Sequence, residues 1–223
     1  MQITIVTIGS RGDVHPYIAL GAGLHAAGHR VCLATNPEFE VAARSHGLDF
    51  CPMHGDFRQI QASDAGQATL HSGDNFLVFM RRYIKATEHI LTRLLADAWQ
   101  ACQGADAVVY AAFSFFAYHI AEKLSVPSVA AYLYPVTPTG DFPSLTAPPW
   151  KLGRMYNRLT HLVGEQLFWQ LYRKQINRWR QETLGLPPVP FLGVFERLNR
   201  QRYPILCGFS PRACYALCET SST

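Results

Sequence analysis

The 223-residue sequence is 48% hydrophobic, yet no apolar run in it reaches the ~18 uninterrupted residues that a membrane-spanning helix requires. The longest candidate, Ala105 to Tyr134, is broken by Asp106, His119, Glu122, Lys123 and Pro127, and reads as buried strand, helix, buried strand. Charged residues are scarce, at 16%, and with so much apolar content disorder is excluded as the state of most of the chain. No basic segment precedes the first strand pattern, Met1-Gln2-Ile3-Thr4-Ile5-Val6, so a cleaved signal peptide is not expected. Metal-ligand spacing is missing as well. Cys214-x3-Cys218, with Cys207 nearby, has the wrong interval and no adjacent histidine, so no metal is expected. Cys32 and Cys51 sit inside apolar runs, where a free thiol behaves as a small hydrophobe, and a reduced, cytoplasmic setting follows.

Acidic residues are rare in one region in particular. From Lys151 to Arg202 there are ten Lys/Arg against three Asp/Glu, a net of +7, whereas the rest of the chain carries ten against thirteen, a net of −3. The positive charge is thus a local face, which argues against a general nucleic-acid binder.

What is present is an alternation of strand and helix patterns. Residues 2 to 8 have the β-branched composition of a buried central strand. Gly9 to Asp13 forms a turn. A helix then carries Pro16 in its first turn, runs through Tyr17, Leu20, Leu24 and Ala27, and closes at Gly28. Arg30 to Thr35 is a second strand, Glu38 to His46 a short helix, and Leu48 to Met53 a third strand. Residues 55 to 75 read as a loop, and Asn75 to Cys102 as a helix with Phe76, Phe79, Met80, Tyr83 and Ile84 in its apolar pattern. Ala107 to Ala111 is a strand, Phe116 to Leu124 a helix, and Val126 to Leu133 a strand. Pro135 to Pro149, with five prolines, is an extended loop. Met155 to Leu184 is a long amphipathic helix or helix pair with Leu159, Leu162, Val163, Leu167, Leu171, Ile176 and Trp179 on one side. A short helix and a strand at Tyr203 to Phe209 follow. The fold class is therefore α/β: a Rossmann-like, doubly wound parallel sheet with a C-terminal amphipathic helical extension.

Ligands of such sheets bind at the carboxyl ends of the strands, where Gly9 to Asp13 lies. A dinucleotide fingerprint does not fit the Gly-x-x-Gly spacing, and Ala34-Thr35-Asn36 offers no acid for a ribose hydroxyl. Arg11-Gly12-Asp13 as an adhesion motif would require an exposed extracellular loop. The third reading is a reaction site. Asp13 can accept a proton from a substrate hydroxyl, the N–H groups of Gly9, Ser10 and Gly12 can approach a diphosphate, and Arg11 adds a charge contact. Helix capping is the structural alternative for Asp13, and the two roles are compatible.

Residues 9 to 21, Gly-Ser-Arg-Gly-Asp-Val-His-Pro-Tyr-Ile-Ala-Leu-Gly, resemble the opening motif of family 28 type glycosyltransferases, the group that includes the sterol 3-β-glucosyltransferases and the glycopeptide-antibiotic glycosyltransferases. The resemblance continues in Tyr118 to Leu124 and in Tyr134 to Pro143, and extends to about residue 212. It implies the N-terminal half of a GT-B fold, an acceptor-side domain over 1–150, a helical extension over 151–212, and an atypical tail over 213–223. The implied reaction is metal-independent and inverting. An acceptor hydroxyl attacks a nucleotide sugar such as UDP-glucose, with Asp13 as the base and Gly9, Ser10, Arg11 and Gly12 near the donor phosphates. His15 stands where sterol-type members carry Gln, and an orienting or surface role is expected for it. His15, Phe113, Tyr134, Thr137 and Thr139 are the expected acceptor contacts, with Phe115, Phe116 and Tyr132 beside them. A sterol- or lipid-like small-molecule acceptor is the expected partner. The donor-binding domain is expected outside these residues, in a further domain or a separate chain. The competing reading is a catalytically silent domain holding an apolar alcohol. Asp106 is expected to be a turn residue. The basic helix is expected to pack its apolar side on its own domain, with peripheral membrane contact as the alternative.

Overall fold

The computed structural model describes residues 1–54, 76–144, 147–148, 150–200 and 203–210, the side chains of 76–87 excepted. The expected loop at 55–75, the tail at 213–223 and the apolar positions Phe76, Phe79, Met80, Tyr83 and Ile84 lie outside what is described. So do Cys214 and Cys218.

Strands β1 (Gln2–Val6), β2 (Arg30–Thr35), β3 (Asp49–Pro52), β4 (Ala107–Tyr110), β5 (Ser128–Tyr132) and β6 (Ile205–Cys207) form one sheet in the order β3-β2-β1-β4-β5-β6. Every strand pair whose register is resolved is parallel: Ile5 stands opposite Leu33 and Val109, and Leu33 opposite Phe50, while Ala131 faces Leu206. Between the strands run helices α1 (Arg11–Ala26), α2 (Glu40–Ser45), α3 (Phe76–Ala101), α4 (Ala117–Leu124), α5 (Gly153–Trp179) and α6 (Gly193–Arg200). The expected doubly wound parallel sheet is what forms. Central strands are covered on both faces and so carry side chains that are apolar in succession; Ile3, Ile5 and Val6 of β1 and Val31, Leu33 and Ala34 of β2 are all buried.

The chain divides into two compact units, residues 1–128 with 182–184, and residues 129–181 with 185–223. In the first, helix α1 starts at Arg11 rather than near Pro16, so Pro16 sits inside the helix and not in its first turn. Proline lacks an N–H, so the bond that the Gly12 carbonyl would otherwise accept is lost there, and its ring crowds that carbonyl. Ala27 ends the helix, and Gly28, at φ 86°, makes the left-handed exit that glycine favours. The helix expected at Glu38 to His46 is a 3₁₀ turn, Pro37–Phe39, followed by α2. Cys32 is buried and Cys51 half-buried, both as free thiols with their Sγ atoms 2.6 Å apart. A hydrogen bond from Cys32 lowers the Cys51 thiol to about 7, whereas burial pushes Cys102 up to about 12.

In the second unit the apolar side expected for α5 is buried only toward its C-terminal end, at Ile176 and Trp179. His161, Trp169, Tyr172, Ile176 and Trp179 face inward, while Leu159, Leu162, Val163 and Leu167 are exposed. The reason lies in the proline-rich loop before the helix, whose main chain has few partners of its own. Asn157 donates to the Gly140 carbonyl (3.0 Å), the Thr160 hydroxyl accepts the Ser144 N–H (2.9 Å), and His161 Nε2 bonds the Phe142 carbonyl (3.1 Å). Tyr156 donates to the Pro148 carbonyl (2.7 Å) and stacks on Trp150. Polar residues are therefore turned inward over the first half of α5, because an unpaired buried carbonyl costs more than an exposed leucine. The helix ends in a π turn, Arg180–Leu184, closed by Gly185 at φ 63°.

Helix α6 packs on α5 through Gly193, which has φ 84° and where a Cβ would lie 2.5 Å from the Trp169 ring. Gly193→Ala should therefore cost roughly 2–4 kcal/mol, a left-handed backbone term plus overpacking. Gly104→Ala, at φ 74° with no atom within 4 Å of the new Cβ, should cost only the backbone term, about 1–2 kcal/mol. Chemical denaturation of both variants measures the difference, and equal losses would contradict the packing role of Gly193.

Candidate functional site

The carboxyl end of β1 leads through Thr7, Ile8 and Gly9 into Ser10, the residue that precedes α1. Thr7 is fully buried, and its hydroxyl donates to the Asp13 carbonyl at 2.9 Å while its N–H bonds the Ala34 carbonyl at 3.1 Å. Gly9 donates its N–H to Asn36 Oδ1 at 3.1 Å, tying the loop to the end of β2. Asp13, in the third position of the helix, turns its carboxylate back over the chain. Its Oδ2 accepts the Ser10 N–H and the Ser10 hydroxyl, each at 2.8 Å. This is the carboxylate half of a capping box, with Asp in the place usually taken by Glu or Gln.

Gly9 makes that turn feasible. It has φ 137°, and a Cβ there would stand 2.5 Å from Asp13 Oδ2 and 2.8 Å from Asp13 Cβ. Gly12 is different: a Cβ there would meet only Ser10 Oγ, at 3.8 Å. Among the described residues nothing requires glycine at 12. Asp13 is half-buried and Arg11, Gly12 and Ser10 are exposed. Among the described residues, no hydrogen bond is made to Asp13 Oδ1.

Two of the three N–H groups expected to meet a diphosphate are thus used inside the protein, Gly9 by Asn36 and Ser10 by Asp13. The helix start leaves others: the N–H groups of Arg11 and Gly12 have no intrahelical carbonyl to bond. They point along the positive end of the helix dipole, beside the Arg11 side chain. His15 is exposed, and its ring meets buried Phe39 edge-on at 6.0 Å. Asn36 and Thr7 are the site residues that sequence reasoning missed. Only the turn signal Asn36-Pro37 hinted at the first, and a partner 27 residues away has no local signature.

Phe113 lies in the short 3₁₀ turn Ala112–Ser114 after β4, the strand next to β1, and is 53% exposed. Its neighbours Phe115 and Phe116 are buried core. Asp106 accepts the Gln2 N–H at 2.7 Å and donates its own N–H to the Gln2 carbonyl at 2.8 Å. It therefore fastens the amino ends of β1 and β4, opposite to Asp13, and is the turn residue expected. Tyr134, Thr137 and Thr139 belong to the second unit, in the loop after β5, and are half-buried. Thr139 Oγ1 pairs with Asp141 at 3.2 Å, and Asp141 in turn holds Arg154 at 2.7 Å. Among the described residues no group of three or more His, Cys, Asp or Glu could hold a metal ion. Among them, too, no helix is long and apolar enough to cross a membrane.

Residues 3–143 match the glycosyltransferase family 28 N-terminal domain. The chain belongs to this family. A sterol 3-beta-glucosyltransferase of Neurospora crassa is 37% identical over 212 residues, 95% of this chain and 13% of the relative. One from Glomerella lagenarium is 36% identical over 211 residues, covering 94% and 14%. The chain thus spans about one seventh of the length of these curated relatives. Among solved structures, the glycosyltransferase of kitacinnamycin superposes with a TM-score of 0.53 at 20% identity, covering 85% of this chain and 42% of that one. The calicheamicin glycosyltransferase CalG4 gives 0.51 at 17%, covering 92% and 46%. These two likenesses establish the GT-B type of fold for the family 28 domain.

The two glycines of the motif separate in a stability test. Gly9→Ala should destabilise the domain by roughly 2–4 kcal/mol, because the new Cβ displaces the Asp13 carboxylate. Gly12→Ala should be neutral or stabilising by up to about 1 kcal/mol. Urea titration reads both, and a Gly9→Ala protein as stable as the parent would show that the turn does not depend on glycine.

Proposed function

We propose that this domain is the acceptor side of an inverting glycosyltransferase that uses a nucleotide sugar, UDP-glucose, and glycosylates a hydroxyl of a sterol- or lipid-like acceptor. The observation that carries the reading is the disposition of Asp13. One carboxylate oxygen holds the loop through Ser10, and the other is left at the carboxyl end of β1, next to the sheet's switch point between β1 and β4. In the reaction, Asp13 Oδ1 takes the proton of the acceptor hydroxyl as that oxygen bonds to the anomeric carbon. The bond from that carbon to the diphosphate oxygen breaks, its electron pair leaves with the nucleotide diphosphate, and the configuration inverts.

The N–H groups of Arg11 and Gly12 and the Arg11 guanidinium face the departing diphosphate. They supply at a helix N-terminus the positive potential that other enzymes draw from a metal. Gly9 and Ser10 keep that approach narrow and uncluttered. Gly12 has no role inside the fold that another residue could not fill, and this supports a close backbone approach by the donor. Phe113, 53% exposed after β4, contacts the acceptor through its ring. His15, held against Phe39, stabilises the helix start. The similarity to proteins named sterol 3-beta-glucosyltransferase supports the acceptor class. The donor site is completed by a second domain, since the relatives extend well beyond the matched stretch.

The test is transfer from UDP-glucose to a sterol by the purified chain, alone and with a family donor-binding domain supplied. The expectation is no turnover alone, turnover when both halves are present, and a β-configured product from the α-configured donor. Robust turnover by the chain alone, or a product of retained configuration, would sink the proposal.

A further inference from the structure

The exposed apolar side chains of the second unit are not scattered. Leu152, Met155, Leu159, Leu162, Val163 and Leu167 are all exposed, Met155 at 88% and Leu167 at 62%. From Met155 onward their spacing of four, three, one and four residues places them on one side of α5, along roughly 18 Å of helix. Single exposed leucines are ordinary on a soluble protein, but a continuous stripe of this length marks a contact surface. The stripe is not an accident of a poorly packed helix. Its opposite side is occupied by Asn157, Thr160 and His161, which bond the main chain of the preceding loop, so the apolar residues have no way to turn inward.

The charges around the stripe decide what it faces. Arg158 is exposed beside the stripe, and Lys174 and Arg178 are exposed farther along the same helix; Lys151 is exposed just before its first turn, and Arg154, on the loop side, pairs with Asp141. The only acidic residue of α5 is Glu165. Its carboxylate is drawn inward by the Asn199 amide at 3.0 Å, and burial pushes it up to about 7, so that much of its negative charge is lost at neutral pH. Apolar residues flanked by cations, with the helix's own carboxylate withdrawn and that of Asp141 taken up by Arg154, are complementary to an anionic bilayer, where leucine and methionine enter the acyl boundary and Arg and Lys meet phosphates.

We infer that the outer side of α5, from Leu152 to Leu167, lies on the surface of an anionic lipid membrane and presents the domain to its acceptor there. The inference rests on the reading of the acceptor as lipid-like, but its test involves no turnover, so either can fail without the other.

The purified chain is mixed with vesicles of phosphatidylcholine alone and of phosphatidylcholine containing phosphatidylserine, and the bound fraction is read by co-sedimentation. Binding is expected to the anionic vesicles, to be several-fold weaker to the neutral ones, and to fall with added salt. Leu159→Glu with Leu162→Glu should lower the partition coefficient at least ~10-fold, and Arg158→Gln about 5-fold. Val41→Glu, at an exposed position of α2, should leave it unchanged. All four positions are exposed, and far-UV circular dichroism verifies that the variants fold. No binding to anionic vesicles would overturn the inference, as would full binding by the double Leu variant. Two other results would also overturn it: a dimer abolished by the same substitutions, or a supplied donor-binding domain that competes with vesicles for this side.

Discussion

The Asp13 carboxylate does two things that would ordinarily be assigned to different residues. Its Oδ2 takes the Ser10 N–H and hydroxyl and so fixes the first turn of α1, while Oδ1 remains at the mouth of the crevice. Around this bond the local architecture is organised in order of dependence. Gly9 must lack a side chain so that the carboxylate can fold back, Asn36 must hold the Gly9 N–H, and Thr7 must hold the Asp13 carbonyl from below. On the proposed function, a base held in this way would need no large rearrangement at the moment of reaction, which is where preorganised sites gain most of their advantage. Cap and base would then not be rival explanations of the same residue, because the cap would aim the base.

A similar economy governs the second unit. The loop before α5 is rich in proline, which has no N–H to donate, and the helix lends its main chain Asn157, Thr160 and His161 as partners. Leucines that a simpler helix would bury are consequently directed outward. Farther along α5 the requirement disappears, and Trp169, Tyr172, Ile176 and Trp179 pack inward as an amphipathic helix should. One helix thus has its polar residues inward at one end and its apolar residues inward at the other, and the change follows the needs of the neighbouring main chain.

Most of the fold was legible because its signals are local. The β-branched run of β1, the Arg30–Thr35 strand, and Gly28 and Gly47 after their helices all lie where periodicity and turn chemistry put them. The start of α1 was misread because Pro16 looks like a first-turn residue, whereas Asp13 had already bonded Ser10 and begun the helix five residues earlier. The buried side of the first half of α5 was misread because hydrophobicity alone cannot register the main-chain groups of a neighbouring loop. In the site, the motif from Gly9 to Asp13 was visible in the sequence. What was not visible was which N–H groups it had already committed, since Asn36 acts across 27 residues. Pairings of that range belong to the packed structure and leave no trace in local spacing.

The central claim, that one oxygen of Asp13 caps while the other accepts a proton, is tested most directly by comparing Asp13→Asn with Asp13→Ala in the two-domain enzyme. Both the melting temperature and kcat would be measured. Asparagine retains an acceptor oxygen for the Ser10 N–H but is no base. The account therefore predicts a nearly unchanged melting temperature with kcat lowered about 10²- to 10⁴-fold. Alanine should lose both kcat and about 0.5–2 kcal/mol of stability. An Asp13→Asn enzyme that keeps the parent kcat would contradict the claim.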